Sequence, residues 1–505
     1  MMSAFTKTNV LAIFLCYVLV SYVLCGSIPS AKKTKVWGPG LKSDIVLPAR
    51  YFFIHAADKN GKLLKESPGD NTFQVDLSKK GGGRVRAWRQ VLDRHDGSFL
   101  VLYRAYESAD ELFINVKYNG KDVAESPYVL KEFYHENCDC PQRNQSVWSK
   151  AMGCPATYEQ IDTDLAKFKE IDLQKVAKEA VERFGRNHAL VHYSIIKNKI
   201  YRKTYGKHVG FAQFMDSWLH SLMRKVKLPN LEFFVNLGDW PLEKRRSGPL
   251  PIFSWCGSDD SEDIVMPTYD VTQSISEILG RISLSMLTVQ ANTGPKWQDK
   301  IPKAFWRGRD SRQERLDFVV MARKNPELFD AALTNFFFFP YDETKYGPKG
   351  SHVSFYDFFK YKYQITIDGT VAAYRLPYLL AGDSLVFKMD SEYYEHFYKE
   401  LEPWVHYIPF KKDLSDLDKK LQWAIANDKK AEKIALQARE YVRARLSPEH
   451  IFCYYNVLFQ KFAKLQKTKP KKYDDMEYIA QPKDDKTGCE CKRKKKKKAP
   501  KHDEF

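Results

Sequence analysis

Residues 361–388 read YKYQITIDGTVAAYRLPYLLAGDSLVFK, and the fold turns on how this stretch is divided. An apolar alternating run over 363–367 predicts a buried strand, broken by Asp368-Gly369. Thr370 is placed to cap a helix opened by Val371-Ala372-Ala373, and Pro377 should kink that helix farther on. A second strand over 384–389 follows Gly382-Asp383. Strand, glycine turn, helix and strand make a βαβ unit, and the free N–H groups at such a helix N-terminus suit an anion. Arg375 then lies about one turn into the helix, where its guanidinium can pair with a bound phosphate.

Outward from this unit, helical and strand patterns alternate from residue 161 to 446. Leu165, Phe168, Val176, Val181 and Phe184 recur at helical spacing, and 211–226 is amphipathic with Phe214, Trp218 and Leu222 on one face. Residues 191–196 and 199–202 form a hairpin-like pair around Lys197-Asn198. A strongly apolar strand over 231–237 ends in Gly238-Asp239-Trp240-Pro241. Such alternation predicts parallel sheets covered by helices, as two lobes of about 158–298 and 301–405 facing across a cleft. Residues 36–131 differ. Short strands with turn signals every ten or so residues predict a β-sandwich, and Trp37-Gly-Pro-Gly40 with Ser126-Pro127 resembles a filamin-type immunoglobulin repeat. It carries no titratable cluster, so binding or spacing is its expected role.

A chain of 505 residues exceeds one ordinary core, so two or three domains are expected. The formal charge of +18 does not point to nucleic acid. From residue 466 onward there are 14 Lys/Arg against 8 Asp/Glu, and no RNA-binding or helix-turn-helix signature accompanies the thinly spread remainder. An apolar run over 10–24 before Gly26-Ser27 predicts a signal peptide of residues 1–25, with no later membrane span. The mature chain is then lumenal, where cysteines oxidise. The C-terminal Lys-His-Asp-Glu-Phe resembles an endoplasmic-reticulum retrieval signal with Phe in place of Leu, which predicts retention with some leakage and a retrieval receptor as partner. Cys489, Cys491 and the lysine run of 492–498 are assigned to a basic disordered tail of 466–505. The segment 132–157 is a linker holding Cys138, Cys140, Cys154 and the sequon Asn144-Gln-Ser146. A CxC pair can bind metal, but a lumenal setting favours disulfides, with Cys453 as a distant candidate partner.

Four further stretches carry candidate chemistry. Asp239 follows the C-terminal end of an apolar strand, the edge where open α/β sheets place ligands. It is either a general base for a substrate hydroxyl or a capping Asp of a connecting loop, and Trp240 can wall a pocket beside it. In FWRGRDSRQER, residues 305–315, Arg307, Arg309, Arg312 and Arg315 crowd a glycine turn, with Ser311 placed to cap a following helix. Paired guanidinium donors suit a diphosphate, and a salt-bridged surface helix is the alternative. Asp162-Thr-Asp164 and Asp416-Leu-Asp418 match a Mn²⁺-binding spacing, yet both fall at predicted helix starts, where Asp serves capping.

The motifs WGPGLKSDIVLPARYFF, ENCDC, FFVNLGDWPL, FWRGRDSRQERL, KYKYQITIDGTVAAYR, GDSLVFK and PWVHYIPF span about residues 36–464. Together they resemble the Rumi-related protein O-glucosyltransferases, and among them the filamin-domain-bearing, KDEL-motif-containing group. The resemblance implies a GT-B fold of two Rossmann-like lobes over 158–465. It also implies inverting transfer of glucose from UDP-glucose, without metal or other cofactor, to Ser of folded EGF-like repeats such as those of Notch and fibrillin. It implies Asp239 as the base, and Arg315, Gly369, Thr370, Val371, Ala372, Ala373, Tyr374 and Arg375 as the UDP-sugar site. It further implies the disulfides Cys138–Cys453 and Cys140–Cys154. Arg309 stands where Rumi-like members have Ser, so no contact is carried to it. UDP-xylose as donor, and a client-binding protein with degenerate lobes, are the competing readings.

Overall fold

The structure, a computed structural model, describes residues 28–244, 248–276, 285–482, 489 and 491. The expected leader, the lysine run and the C-terminal signal lie outside the described residues.

The β-sandwich consists of β1 (Lys35–Trp37), β2 (Arg50–His55), β3 (Gln74–Lys79), β4 (Ala87–Asp93), β5 (Ser98–Ala105), β6 (Ala109–Tyr118), β7 (Lys121–Asp122) and β8 (Tyr128–Phe133). One antiparallel sheet runs β1-β2-β5-β4, and in the other β6 pairs with β3, β7 and β8. Phe52, Ile54, Val101 and Tyr103 of the first face Val75, Ile114, Val116 and Leu130 of the second. The first sheet is apolar on its outer face as well. Tyr51, Leu100 and Leu102 there belong to the same core as the helices and strands of the α/β region.

That region holds two sheets. The first, ordered β14-β12-β11-β9-β10-β21, uses β9 (Leu190–Ile196), β10 (Lys199–Tyr205), β11 (Leu231–Asn236), β12 (Ile252–Ser254), β14 (Ile264–Val265) and β21 (Glu477–Ile479). It is mixed, not parallel as expected. β9–β10 is a tight hairpin whose turn residues Lys197 and Asn198 take φ of 51° and 62°, and a hairpin is antiparallel by construction. β9 also pairs antiparallel with β11, which leaves β11, β12 and β14 as the parallel part. The second sheet is parallel throughout: β16 (Phe329–Leu333), β15 (Ile301–Gly308), β17 (Tyr361–Thr366), β18 (Leu385–Met389) and β20 (Ile408–Phe410), in that order. A two-stranded ribbon, β13 (Gly257–Ser258) with β19 (Tyr393–Tyr394), joins the two halves. Among the described residues no helix is long and apolar enough to cross a membrane.

The βαβ unit is present, with one correction. Its helix is Leu376–Ala381, so Thr370 caps nothing and residues 368–375 form a loop. Pro377 begins the helix instead of kinking it, because a proline in the first turn forfeits no intrahelical bond. Arg375 therefore stands at the N-cap position.

The C-terminal end also departs from expectation. Residues 466–482 are not a disordered tail: Lys467 N–H donates to Ile171 O at 2.9 Å, and β21 extends the first sheet beyond β10. Gln481 is held between Arg224 Nη1 (3.2 Å) and His220 O (3.1 Å). This course brings Cys489 and Cys491 to the linker, and the bridges are Cys138–Cys489, Cys140–Cys491 and Cys154–Cys453. The implied pairs Cys138–Cys453 and Cys140–Cys154 are thus corrected. Cys453, in the helix Pro448–Leu465, lies with its Cα 5.2 Å from that of Cys154. The two CxC segments meet at equal spacing, Cα–Cα 5.3 and 5.6 Å, so both rungs close in register. Asn144 is exposed and caps the helix Gln145–Met152, accepting from Val147 N–H at 3.2 Å through Oδ1.

Candidate active site

A cleft of about 900 Å³ runs between the C-terminal ends of β11 and of the parallel sheet. Asp239 lines one side. Its position is set by Asn236 at the end of β11. The Asn236 side chain accepts from Gly238 N–H (2.9 Å) and donates to Trp240 O (2.7 Å), which folds 236–240 into a tight turn around it. The buried thiol of Cys256 donates to Asp239 O at 3.2 Å, so the backbone is held from below. The Asp239 carboxylate makes no hydrogen bond to another described group. Burial raises it above the ordinary aspartate range, and Arg309 opposes that rise. Trp240 is 57% exposed and does not line the cleft; it stands outside, beside Asp239.

The arginines divide into two kinds. Arg307 is neutralised by Asp330 at 2.6 Å, and Arg312 lies among Glu314, Asp368 and Glu392. Arg309, Arg315 and Arg375 all line the cleft without a carboxylate in salt-bridge range among the described residues. Arg315 spends its donors on the fold: Nε binds Asp368 O (2.7 Å), Nη2 binds Ile367 O (3.0 Å), and Nη1 binds Arg309 O (3.1 Å) and Ser311 Oγ (2.9 Å). It ties the loop after β15 to the loop after β17. Ser311, expected to cap the helix Gln313–Lys324, serves as that acceptor instead. One Nη2 hydrogen of Arg315 is left for a ligand. Arg375 commits only Nη1, to Arg307 O at 2.6 Å, which leaves most of its fork uncommitted. Burial lowers Arg315 to about 9, with Arg375 adding to the effect, and lowers Arg375 to about 10.

Between these arginines runs the loop from Gly369 to Arg375, every residue of which lines the cleft. Gly369 N–H closes onto Val371 O at 2.9 Å. The N–H groups of Thr370, Val371, Ala372, Ala373, Tyr374 and Arg375 donate to no described acceptor. An unpaired guanidinium beside a run of unpaired N–H groups favours an anion, because each unmet donor costs free energy that a phosphate oxygen recovers. Gly369 packs closely on Arg315: a Cβ there would stand 3.3 Å from Arg315 Nη2.

The two Asp-x-Asp pairs lie elsewhere. Buried Asp164 accepts from Gln160 Nε2 (2.9 Å) and Val265 N–H (2.8 Å), and Asp416 pairs with Lys420 at 2.7 Å. Neither pair lines the cleft.

A family model described as glycosyl transferase family 90 matches residues 149–503, and a filamin/ABP280 repeat model matches 28–129. The chain belongs to glycosyl transferase family 90. It is 59% identical over 469 residues to Protein O-glucosyltransferase 2 of Danio rerio, covering 92% of this chain and 94% of that one. Protein O-glucosyltransferase 3 of Homo sapiens is 50% identical over 92% of this chain and 94% of its own length. Protein O-glucosyltransferase 1 of Homo sapiens is 31% identical over 65% of this chain and 85% of its own.

The cleft of this family-90 glycosyltransferase contains residues that the sequence did not single out. Tyr269 and Asp270 open the helix Tyr269–Ser276 just past β14, and Thr334, Asn335 and Phe337 follow β16. All sit beyond the C-terminal end of a parallel strand. The edge rule that selected Asp239 would have found them had it been applied to every strand. Phe337 is 69% exposed, yet its segment is fixed: the buried Asp310 carboxylate accepts from the N–H groups of Phe337, Phe338 and Phe339 at 2.8–2.9 Å.

Proposed function

We propose that this glycosyltransferase moves glucose from UDP-glucose to a serine hydroxyl of a folded EGF-like repeat, with inversion and without a metal. The carrying observation is that Asp239 and the Arg375-flanked loop of free N–H groups line one cleft. The relatives named above, which are protein O-glucosyltransferases, supply the sugar and the protein acceptor. In this reading the two sheets are the lobes of a GT-B fold.

Inversion needs a base on the acceptor face and stabilisation of the leaving group on the other, with no covalent nucleophile. Asp239 takes the serine proton as the oxygen attacks the anomeric carbon. The carbon–oxygen bond to UDP breaks on the opposite side, and the electron pair leaves with the diphosphate. Arg375, the remaining Arg315 donor and the 370–375 N–H groups meet that charge. Burial raises the Asp239 carboxylate toward the range of a useful base, and Arg309 opposes that rise. Trp240, exposed next to the base, offers the acceptor an apolar surface. Residence in the endoplasmic-reticulum lumen belongs to the same proposal: three disulfides call for an oxidising compartment, and the retrieval-like terminus for return to it.

The test is mass spectrometry of a folded EGF repeat incubated with the purified protein and either UDP-glucose or UDP-xylose, with EDTA present. A hexose on Ser, reduced in Asp239→Asn by a factor on the order of hundreds, is the expected result. A pentose replaces the donor and keeps the mechanism. A product that vanishes with EDTA restores a metal, and no product on several repeats removes the enzymatic reading.

A further inference from the structure

A second cavity, of about 250 Å³, lies between the β-sandwich and the glycosyltransferase region. Its walls are largely apolar: Trp37, Tyr51 and Phe53 on one side, Met286, Leu287 and Val442 on the other. An engineered cavity of roughly 150 Å³ holds a benzene molecule, so this one admits a somewhat larger apolar body. Trp37 is 45% exposed, which places an opening at the sandwich edge.

The unusual feature is the charge at one end. Arg94 is 6% exposed, yet its Nε and Nη2 are buried and meet no hydrogen-bond acceptor among the described residues. The Phe53 ring lies against it, 5.1 Å from Cζ to centroid. Arg439, 7% exposed, is near enough to repel it. Arg439 uses Nη2 on Gln290 O at 2.9 Å and leaves Nε buried and unpaired. The nearby carboxylates Asp96 and Glu440 also face a third cation. Arg443 holds Glu440 through Nη1, approaches Asp96 at 3.9 Å and donates from Nε to Gln290 Oε1 at 3.2 Å. Glu449 accepts from Tyr51 Oη at 2.7 Å. Of the two buried guanidiniums only that of Arg94 lines the cavity, and Asp96 and Glu440 offset part of its burial without hydrogen-bonding to it. Burial of a charge is costly unless it is paired, and a neighbouring like charge adds to that cost. Burial, and then Arg439, lower Arg94 to about 10, with Asp96 and Glu440 acting in the opposite direction.

We propose that this cavity binds a small amphipathic carboxylate, its anionic head against Arg94 and its apolar body between Trp37, Phe53 and Met286. The head supplies the acceptor that Arg94 lacks, in the paired geometry a planar guanidinium favours. The body replaces water on walls that offer it few partners. The helix Tyr269–Ser276 connects this cavity to the cleft: Tyr269 and Asp270 line the cleft, and Ser274 and Ile275 line the cavity. A ligand here would touch the catalytic region through a single element.

Octanoate is the probe, titrated calorimetrically into the full-length protein, with octanol as the uncharged control. Saturable binding at one site per chain is expected, weakened about tenfold or more in octanol and in Arg94→Met, the loss of a charge-assisted pair. Met286→Trp fills the apolar end with Arg94 intact and is expected to abolish binding; its unliganded melting temperature, and that of Arg94→Met, report whether each variant folds. No saturable octanoate binding, equal binding of octanol, or binding unchanged in either folded variant overturns the proposal and leaves a water-filled cavity.

Discussion

At the scale of single residues, the cleft separates groups that hold the fold from groups left over for a ligand. Arg315 and Arg375 looked equivalent in the sequence. The structure commits Arg315 to three backbone carbonyls and one hydroxyl, whereas Arg375 makes one such bond. Arg375→Ala is therefore expected to weaken UDP binding roughly 10–100-fold, the loss of a bond or two to a charged group, with little change in melting temperature. Arg315→Ala should destabilise by on the order of 2–4 kcal/mol, since it strands buried carbonyls. Calorimetric UDP titration beside thermal melts of both variants checks the pair, and equal loss of stability in both would refute the division. Asp239 gives a pH prediction with a definite sign. Burial raises its pKa, Arg309 lowers it, and only the ionised carboxylate can act as base. Removing the opposing charge in Arg309→Leu should move the acid limb of the kcat/KM profile to higher pH, so activity fails earlier as pH falls. A limb that stays put or moves to lower pH would take Arg309 out of the base's field. Asp239 itself was legible from one rule, an acidic residue just past an apolar strand. Its aim was not, because that depends on Asn236 bonding across the turn.

At the scale of elements, the strand–loop–helix–strand order at 361–389 was readable, while the place where loop gives way to helix was not. Val371-Ala372-Ala373 has helical propensity, but the loop reaches as far as Pro377 lets the first turn begin, and the free N–H groups come from the loop. The continuous apolar run of β5, Phe99 to Tyr103, already implied burial on both faces of that sheet. Its meaning emerged only with Leu100 and Leu102 in the glycosyltransferase core. The expectation of a parallel first sheet failed for a local reason, since the Lys197-Asn198 hairpin was itself visible and forces antiparallel pairing. A further test concerns the aromatic segment after β16. Burial alone would raise the Asp310 carboxyl, but three N–H donors outweigh it and hold it below the usual range. Asp310→Ala should cost about 2–4 kcal/mol and loosen the segment around Phe337. Hydrogen exchange at 337–339 should then rise well above wild type, and unchanged protection there would show that the segment is held by other contacts.

At the scale of the whole molecule, the order of domains followed from composition and turn spacing, and the covalent wiring did not. Nothing in the lysine-rich context of Cys489 and Cys491 announced an ordered destination. The usable signal was their spacing, which equals that of Cys138 and Cys140. The Cys154–Cys453 bridge spans 299 residues, so its loss should cost about 2–5 kcal/mol through the freedom gained by the unfolded chain. Cys154→Ser with Cys453→Ser is expected to lower the melting temperature by several degrees with the UDP affinity retained. A melting temperature equal to wild type would place the stabilisation elsewhere.

These bridges make the glycosyltransferase region a covalent circle. The chain enters next to Cys138 and leaves next to Cys491, so both ends meet at one point beside the β-sandwich. The backbone there is, in effect, already closed on itself. A single peptide-bond cut anywhere between residues 154 and 453 opens the ring without dividing the molecule, and the two pieces stay joined until a reductant is added. Nicked protein should migrate as one species on a non-reducing gel and as two on a reducing one. New termini can accordingly be placed on any exposed loop of that arc while the old ends remain stitched.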